Sequence, residues 1–89
     1  MHAIVTVIGR DRVGIIAGIC VKLAELNVNV QDITQTILDG MFTMVMLVDV
    51  GRANVPFAEI ASALDREAER LGVSVRIQRE ENFDAMHRI

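Results

Sequence analysis

Apolar and polar positions recur with two different periods along this chain, and the switches between them mark six elements. Ala3 to Ile8 is a β-branched run that predicts a buried strand. From about Val13 to Leu26, the residues Ile16, Ile19, Cys20, Leu23 and Leu26 recur at helical spacing and define one apolar stripe. Asn27 follows, the non-glycine residue best suited to a left-handed position after a helix. A second strand is predicted from about Asn29 to Leu38. Asp39-Gly40 then makes a hairpin turn, because that pair accepts positive φ at both central positions. The third strand runs from Met41 to Val50. Gly51 to Asn54 is a loop, with Asn54 as candidate N-cap and Pro56 suited to a first helical turn. The second helix reaches about Leu71, with Phe57, Ile60, Leu64, Ala68 and Leu71 on one face and Arg66, Glu67, Glu69 and Arg70 on another. Gly72 ends it, and Val73 to Arg79 reads as a fourth strand.

The order βαββαβ, with right-handed crossovers, predicts an α+β, ferredoxin-like fold: a four-stranded antiparallel sheet with both helices on one face. The fourth strand alternates cleanly, Val73, Val75 and Ile77 against Ser74, Arg76 and Gln78. The first and third strands do not. Ile4 and Ile8 oppose Val5 and Val7, while Val45 and Leu47 oppose Phe42, Met44, Met46 and Val48. Strands apolar on both faces need cover on both. Two helices cover one, so the other falls to the C-terminal tail or to a second chain. In the tail, residues 80–89, Phe83, Met86 and Ile89 are spaced to share one side. A solvated terminus is the alternative, but three large apolar residues in the last seven favour docking on a sheet face or a partner chain.

Composition changes the picture in three ways. A length of 89 residues fits one domain over 1–89, small enough that its stability is expected to lean on self-association. The formal net charge of −3 argues against a nucleic-acid binder or an anionic-membrane binder. Polar residues interrupt every apolar run, so no bilayer span is predicted, and His2-Ala3-Ile4-Val5 lacks the form of a signal peptide. The single Cys20 cannot form an internal disulfide. A cytoplasmic location is expected.

Candidate chemistry gathers in Gly9-Arg10-Asp11-Arg12-Val13-Gly14-Ile15, between the first strand and the first helix. Free backbone N–H groups and the positive end of the helix dipole can receive an anion there. Gly14, with no Cβ, permits close approach of a ligand or a partner backbone. The plainer alternative is a simple turn in which Asp11 or a neighbour caps the helix.

The chain resembles an ACT domain, the ferredoxin-like regulatory module that binds amino acids and other small metabolites, usually at a dimer interface. The resemblance rests on Gly9 to Ala17, on Leu23-Ala24-Glu25-Leu26-Asn27-Val28-Asn29-Val30, and on Gln35 to Met44. It spans essentially the whole chain and is closest to the stand-alone single-domain kind, whose ending Phe83-Asp84-Ala85-Met86-His87-Arg88-Ile89 also resembles. Asn27 departs from the glycine common there, without an expected change of fold.

The resemblance implies ligand contacts at Asp11, Arg12, Val13, Gly14, Ile15 and Asn29. Backbone N–H groups near Gly14 and Ile15 suit a carboxylate, and the Asn29 amide can hold either end of a zwitterion. Asp11 either meets an ammonium or caps the helix. Arg12 either pairs with an acidic ligand or stays in solvent. Gln31, two residues after Asn29, is expected to share its face and reach the same pocket. The implied function is a sensor or regulator that self-associates, binds a small metabolite such as an amino acid, and serves a regulated enzyme. The alternative is a protein-interaction module without a ligand.

Other functions of this topology fit less well. RNA-binding relatives stack bases on aromatics of strands 1 and 3, where this chain has only Phe42. Metal carriers use paired cysteines in the first loop, which has none, so neither metal nor cofactor is expected. Acylphosphatases follow that loop with an arginine that clamps the phosphoryl group, whereas this helix opens Ile15-Ile16-Ala17-Gly18 with no cation until Lys22. No Ser-His-Asp or Cys-His set suggests itself either, so no catalysis is expected.

Overall fold

All six predicted segments form, as β1 (His2–Arg10), α1 (Ile15–Glu25), β2 (Asn29–Leu38), β3 (Met41–Asp49), α2 (Phe57–Leu71) and β4 (Ser74–Arg79). The computed structural model describes residues 1–10 and 13–81. The strands make one sheet in the order β2-β3-β1-β4, and every neighbouring pair is antiparallel. Asp39 and Gly40 have φ of 52° and 79°, the pair of positive values that a tight β2–β3 hairpin needs. Gly9 lies inside β1 because a Cβ there would stand 2.6 Å from Cγ1 of Val73.

One face of the sheet carries the core. Ala3, Val5 and Val7 of β1 and Phe42, Met44, Met46 and Val48 of β3 point to it and are buried. Ile15, Ile19 and Leu23 of α1 close over them with Ile60, Leu64 and Leu71 of α2. Removing each such branched side chain from water contributes about 1.5–3 kcal/mol. The opposite face, turned away from α1 and α2, carries Ile4, Thr6 and Ile8 beside Thr43, Val45 and Leu47. Strands 1 and 3 are thus apolar on both sides, as the alternation predicted.

Four local expectations need correction. The helix α1 opens at Ile15 rather than Val13, because Gly14 turns left-handed with φ of 95°. That start rotates the buried stripe to Ile15, Ile19 and Leu23, which leaves Ile16 exposed and Cys20 half-buried on the flank. Asn54 does not cap α2. Its Nδ2 donates to the Glu25 carbonyl at 3.0 Å, and extended Pro56 precedes the helix with no side-chain cap. In β2 the register to β3 slips between Val30 and Asp32, so Gln31 is an extra, bulged residue.

Candidate functional site

The described part of the β1–α1 junction, Val13 and Gly14, is exposed. Gly14 is exposed, and a Cβ built on it would meet nothing within 4 Å. Its carbonyl accepts the Gly18 N–H at 2.8 Å, which starts the helical ladder. The N–H groups of Ile15, Ile16 and Ala17 precede that bond, and the first turn has neither a side-chain cap at Gly14 nor an acidic residue. An anion placed there gains hydrogen bonds and the favourable end of the dipole. Val13 is fully exposed beside it, whereas the Ile15 side chain is core, so Ile15 offers only its backbone. Asp11 and Arg12 lie outside the described residues.

From this junction a groove of about 530 Å³ runs between the two helices, lined by Val13, Gly14, Ala17, Gly18 and Val21 and, from α2, Glu67, Arg70 and Leu71. Glu67, expected on the polar face of α2, is instead buried, its side chain 11% exposed. It accepts hydrogen bonds from Nε of Arg70 at 2.9 Å and from the same guanidinium's terminal nitrogen. That hydrogen bonding holds its carboxyl below the usual range, against the opposing effect of burial. The two helices fit around the pair because α1 has Gly18 opposite; a Cβ there would come to 3.0 Å from Oε2 of Glu67. The signal was present in the sequence. Ile60, Leu64, Glu67 and Leu71 follow i, i+4, i+7, i+11, so Glu67 occupies a place in the apolar stripe.

Asn29 stands elsewhere. It opens β2, opposite Asp49, and lines a polar hollow of about 500 Å³ with Ala24, Asn27, Val28, Asp49 and Arg52. Asn27, at φ 59°, donates from Nδ2 to the Arg52 carbonyl at 2.7 Å. Oδ1 of Asp49 accepts the Gly51 N–H at 2.8 Å, the main cause of its lowered pKa. Gln31 does not line this hollow. The bulge breaks the two-residue repeat that would have put it on Asn29's face. Gly14 and Asn29 therefore flank opposite ends of α1, whose 11 residues span about 16 Å at 1.5 Å each.

On the outer flank of this half of the molecule, β2 is an edge strand, exposed over nearly its whole length. Ile16 of α1 and Ile33, Ile37 and Leu38 of β2 are exposed there. Among the described residues no group of three metal-ligating side chains occurs, and no helix is long and apolar enough to cross a membrane.

Comparison with known proteins places this geometry. Residues 1–78 match the family model for the ACT domain. A UPF0237 protein of Listeria innocua is 51% identical over 89 residues, with 100% of both chains covered. Among solved structures, an ACT domain protein from Streptococcus pneumoniae is 39% identical, with a TM-score of 0.82 and 98% of each chain covered. The regulatory subunit of aspartate kinase from Thermus thermophilus is 25% identical with a TM-score of 0.68, over 86% of this chain and 50% of its own. With the open helix start, the ferredoxin-like sheet and these matches in agreement, the chain belongs to the ACT domain family.

Proposed function

We propose that this chain is a non-catalytic, cytoplasmic sensor domain that binds a small metabolite, an amino acid, in sites shared between two copies. The carrying observation is the separation of Gly14 from Asn29 along α1. A ligand the size of an amino acid does not bridge about 16 Å. Two copies related by a two-fold axis, with their α1 helices antiparallel, bring the start of one helix to the end of the other. The exposed edge of β2 and the apolar flank of Ile16, Ile33 and Ile37 suit such a contact. In this arrangement the carboxylate meets the N–H groups after Gly14, and the Asn29 amide of the second copy holds the ammonium. The regulatory role named for the aspartate kinase subunit is in keeping with that reading.

The test has two stages. A thermal-shift screen against the free amino acids identifies a ligand, since saturation at a hundred times Kd stabilises by about 2.7 kcal/mol. Gly14→Val and Asn29→Ala are then titrated singly and as an equal mixture. Each variant alone should bind weakly, because every shared site carries one lesion. In the mixture, random pairing leaves about one site in four intact, and binding at wild-type affinity should return to that extent. Absence of recovery would place both residues in one chain's own site. Absence of any amino-acid binding would leave a protein-interaction module.

A further inference from the structure

The polar hollow at the C-terminal end of α1 holds a second group beside Asn29. Asn29 and Asp49 pair directly across β2 and β3, so their side chains stand on one side of the sheet with Cβ atoms about 5 Å apart. Both line the hollow, yet neither bonds to the other, and the Asn29 amide makes no hydrogen bond among the described residues.

Asp49 is only partly committed. Its Oδ1 accepts the Gly51 N–H at 2.8 Å and lies 3.5 Å from the Met1 amino nitrogen. Its Oδ2 has no hydrogen-bond partner among the described residues. The Gly51 bond, with the amino group and His2 nearby, holds the carboxyl below its ordinary range and so keeps it ionised. The Asp49 side chain is 37% exposed, and water weakens the contact with Met1, which leaves negative charge for another cation. His2, opposite Asp49 on β1, makes its ion-pair contact with Glu80 instead. Arg52 lines the hollow from the loop after β3 and forms no ion pair among the described residues. The hollow therefore has its negative pole at the strand pair and its positive pole at the loop.

A neutral amide does not tell an ammonium from a hydroxyl. The Asn29 oxygen accepts a hydrogen bond from either one. A carboxylate does tell them apart, because its bond to an ammonium is charge-assisted and roughly twice as strong as a neutral one. We propose that Asp49 is the specificity-determining residue of the site: its Oδ2, beside the Asn29 amide, holds the ligand's α-ammonium and makes the site prefer an amino acid to the α-hydroxy acid of the same skeleton. This assignment rests on the ligand reading above and names the charge on which the choice of an amino acid depends.

The free amino acids and their matching α-hydroxy acids are titrated in parallel against the full-length chain. An amino acid that binds the native chain should bind about tenfold or more tightly than its hydroxy acid. Asp49→Asn keeps an acceptor for the Gly51 N–H and removes the charge, and should narrow that ratio to about twofold, chiefly by weakening the amino acid. Asp49→Glu, which restores a carboxylate, should recover part of the preference. A ratio undiminished in Asp49→Asn would overturn the assignment and leave the ligand reading standing. Equal binding of the two acids by the native chain would overturn it too, as would an equal loss of both in Asp49→Asn, which marks a structural role. A native chain that binds no amino acid would overturn both readings.

Discussion

The two ends of α1 are built to opposite rules. At its C-terminus nearly every backbone group near the end has a partner inside the chain. The Val28 N–H donates to the Leu23 carbonyl at 2.9 Å, the Asn54 N–H to Leu26 at 3.0 Å, and the Asn54 amide to Glu25 at 3.0 Å. Left-handed Asn27 turns the chain and ties the Arg52 carbonyl to it. At the N-terminus, among the described residues, there is a bare glycine, no cap side chain and no acidic residue in the first turn. A helix needs only modest help at either end, so the contrast is informative. One end is fastened by these bonds, and at the other no side chain among the described residues caps the first turn.

The largest effect should come from unfastening the closed end. Asn27→Ala removes both the tolerance for a left-handed backbone and the hydrogen bond to Arg52, and should cost about 2 kcal/mol in chemical denaturation. Asn27→Gly, which keeps the angle, should recover about half of that. Asn54→Ala should cost about 1 kcal/mol by leaving the Glu25 carbonyl without its amide partner. Amino-acid affinity should survive in the Asn54 variant, because Asn54 lines neither the Gly14 groove nor the Asn29 hollow.

The open end should respond in the other direction. Ala17→Glu puts an acid at the third helical position, exposed and near the first-turn N–H groups. It should stabilise by about 0.5 kcal/mol at low salt, weaken a carboxylate ligand, and lose both effects as salt is raised. An unchanged melting temperature at low salt would mean that this end is already satisfied.

The smallest effect should be seen in acid. Glu67 has a folded-state pKa below its ordinary 4.5, chiefly through Arg70. A lowered carboxyl pKa contributes stability that is complete above the unfolded value and lost as pH falls through the folded one. Melting temperatures of the native chain and of Glu67→Gln should therefore converge as pH falls below 4.5. Constant separation across that range would show that the carboxylate's charge is not what Arg70 stabilises.

Most of the framework was legible because it is written in local periods. Strand and helix spacings separated the six elements, and Asp39-Gly40, Asn27 and Gly72 each marked a turn whose positive φ the backbone adopts. What stayed hidden depends on partners distant in sequence. Asn54 resembles a cap for the helix after it, yet bonds to the helix before it, 29 positions away. Glu67 looks solvated until Gly18 of the other helix is seen to make room for it. The bulge at Gln31 comes from pairing with β3, and no pattern within β2 announces it. For the candidate site, the open junction at Gly14 was readable, but its distance from Asn29 required three dimensions.

A sheet with two free edges can in principle grow without limit, and the two edges of this one differ sharply. The β2 side is ten residues long, with apolar side chains and Asp32 as its one charge. The β4 side is six residues long and carries Arg76 and Arg79, both exposed. Like charges brought edge to edge repel, and short edges template poorly. Pairing through β2 would leave two β4 edges outward, each presenting arginines to any newcomer. Under that pairing, fibre growth would be discouraged at the β4 edges, and assembly through this sheet would stop at a closed, countable particle.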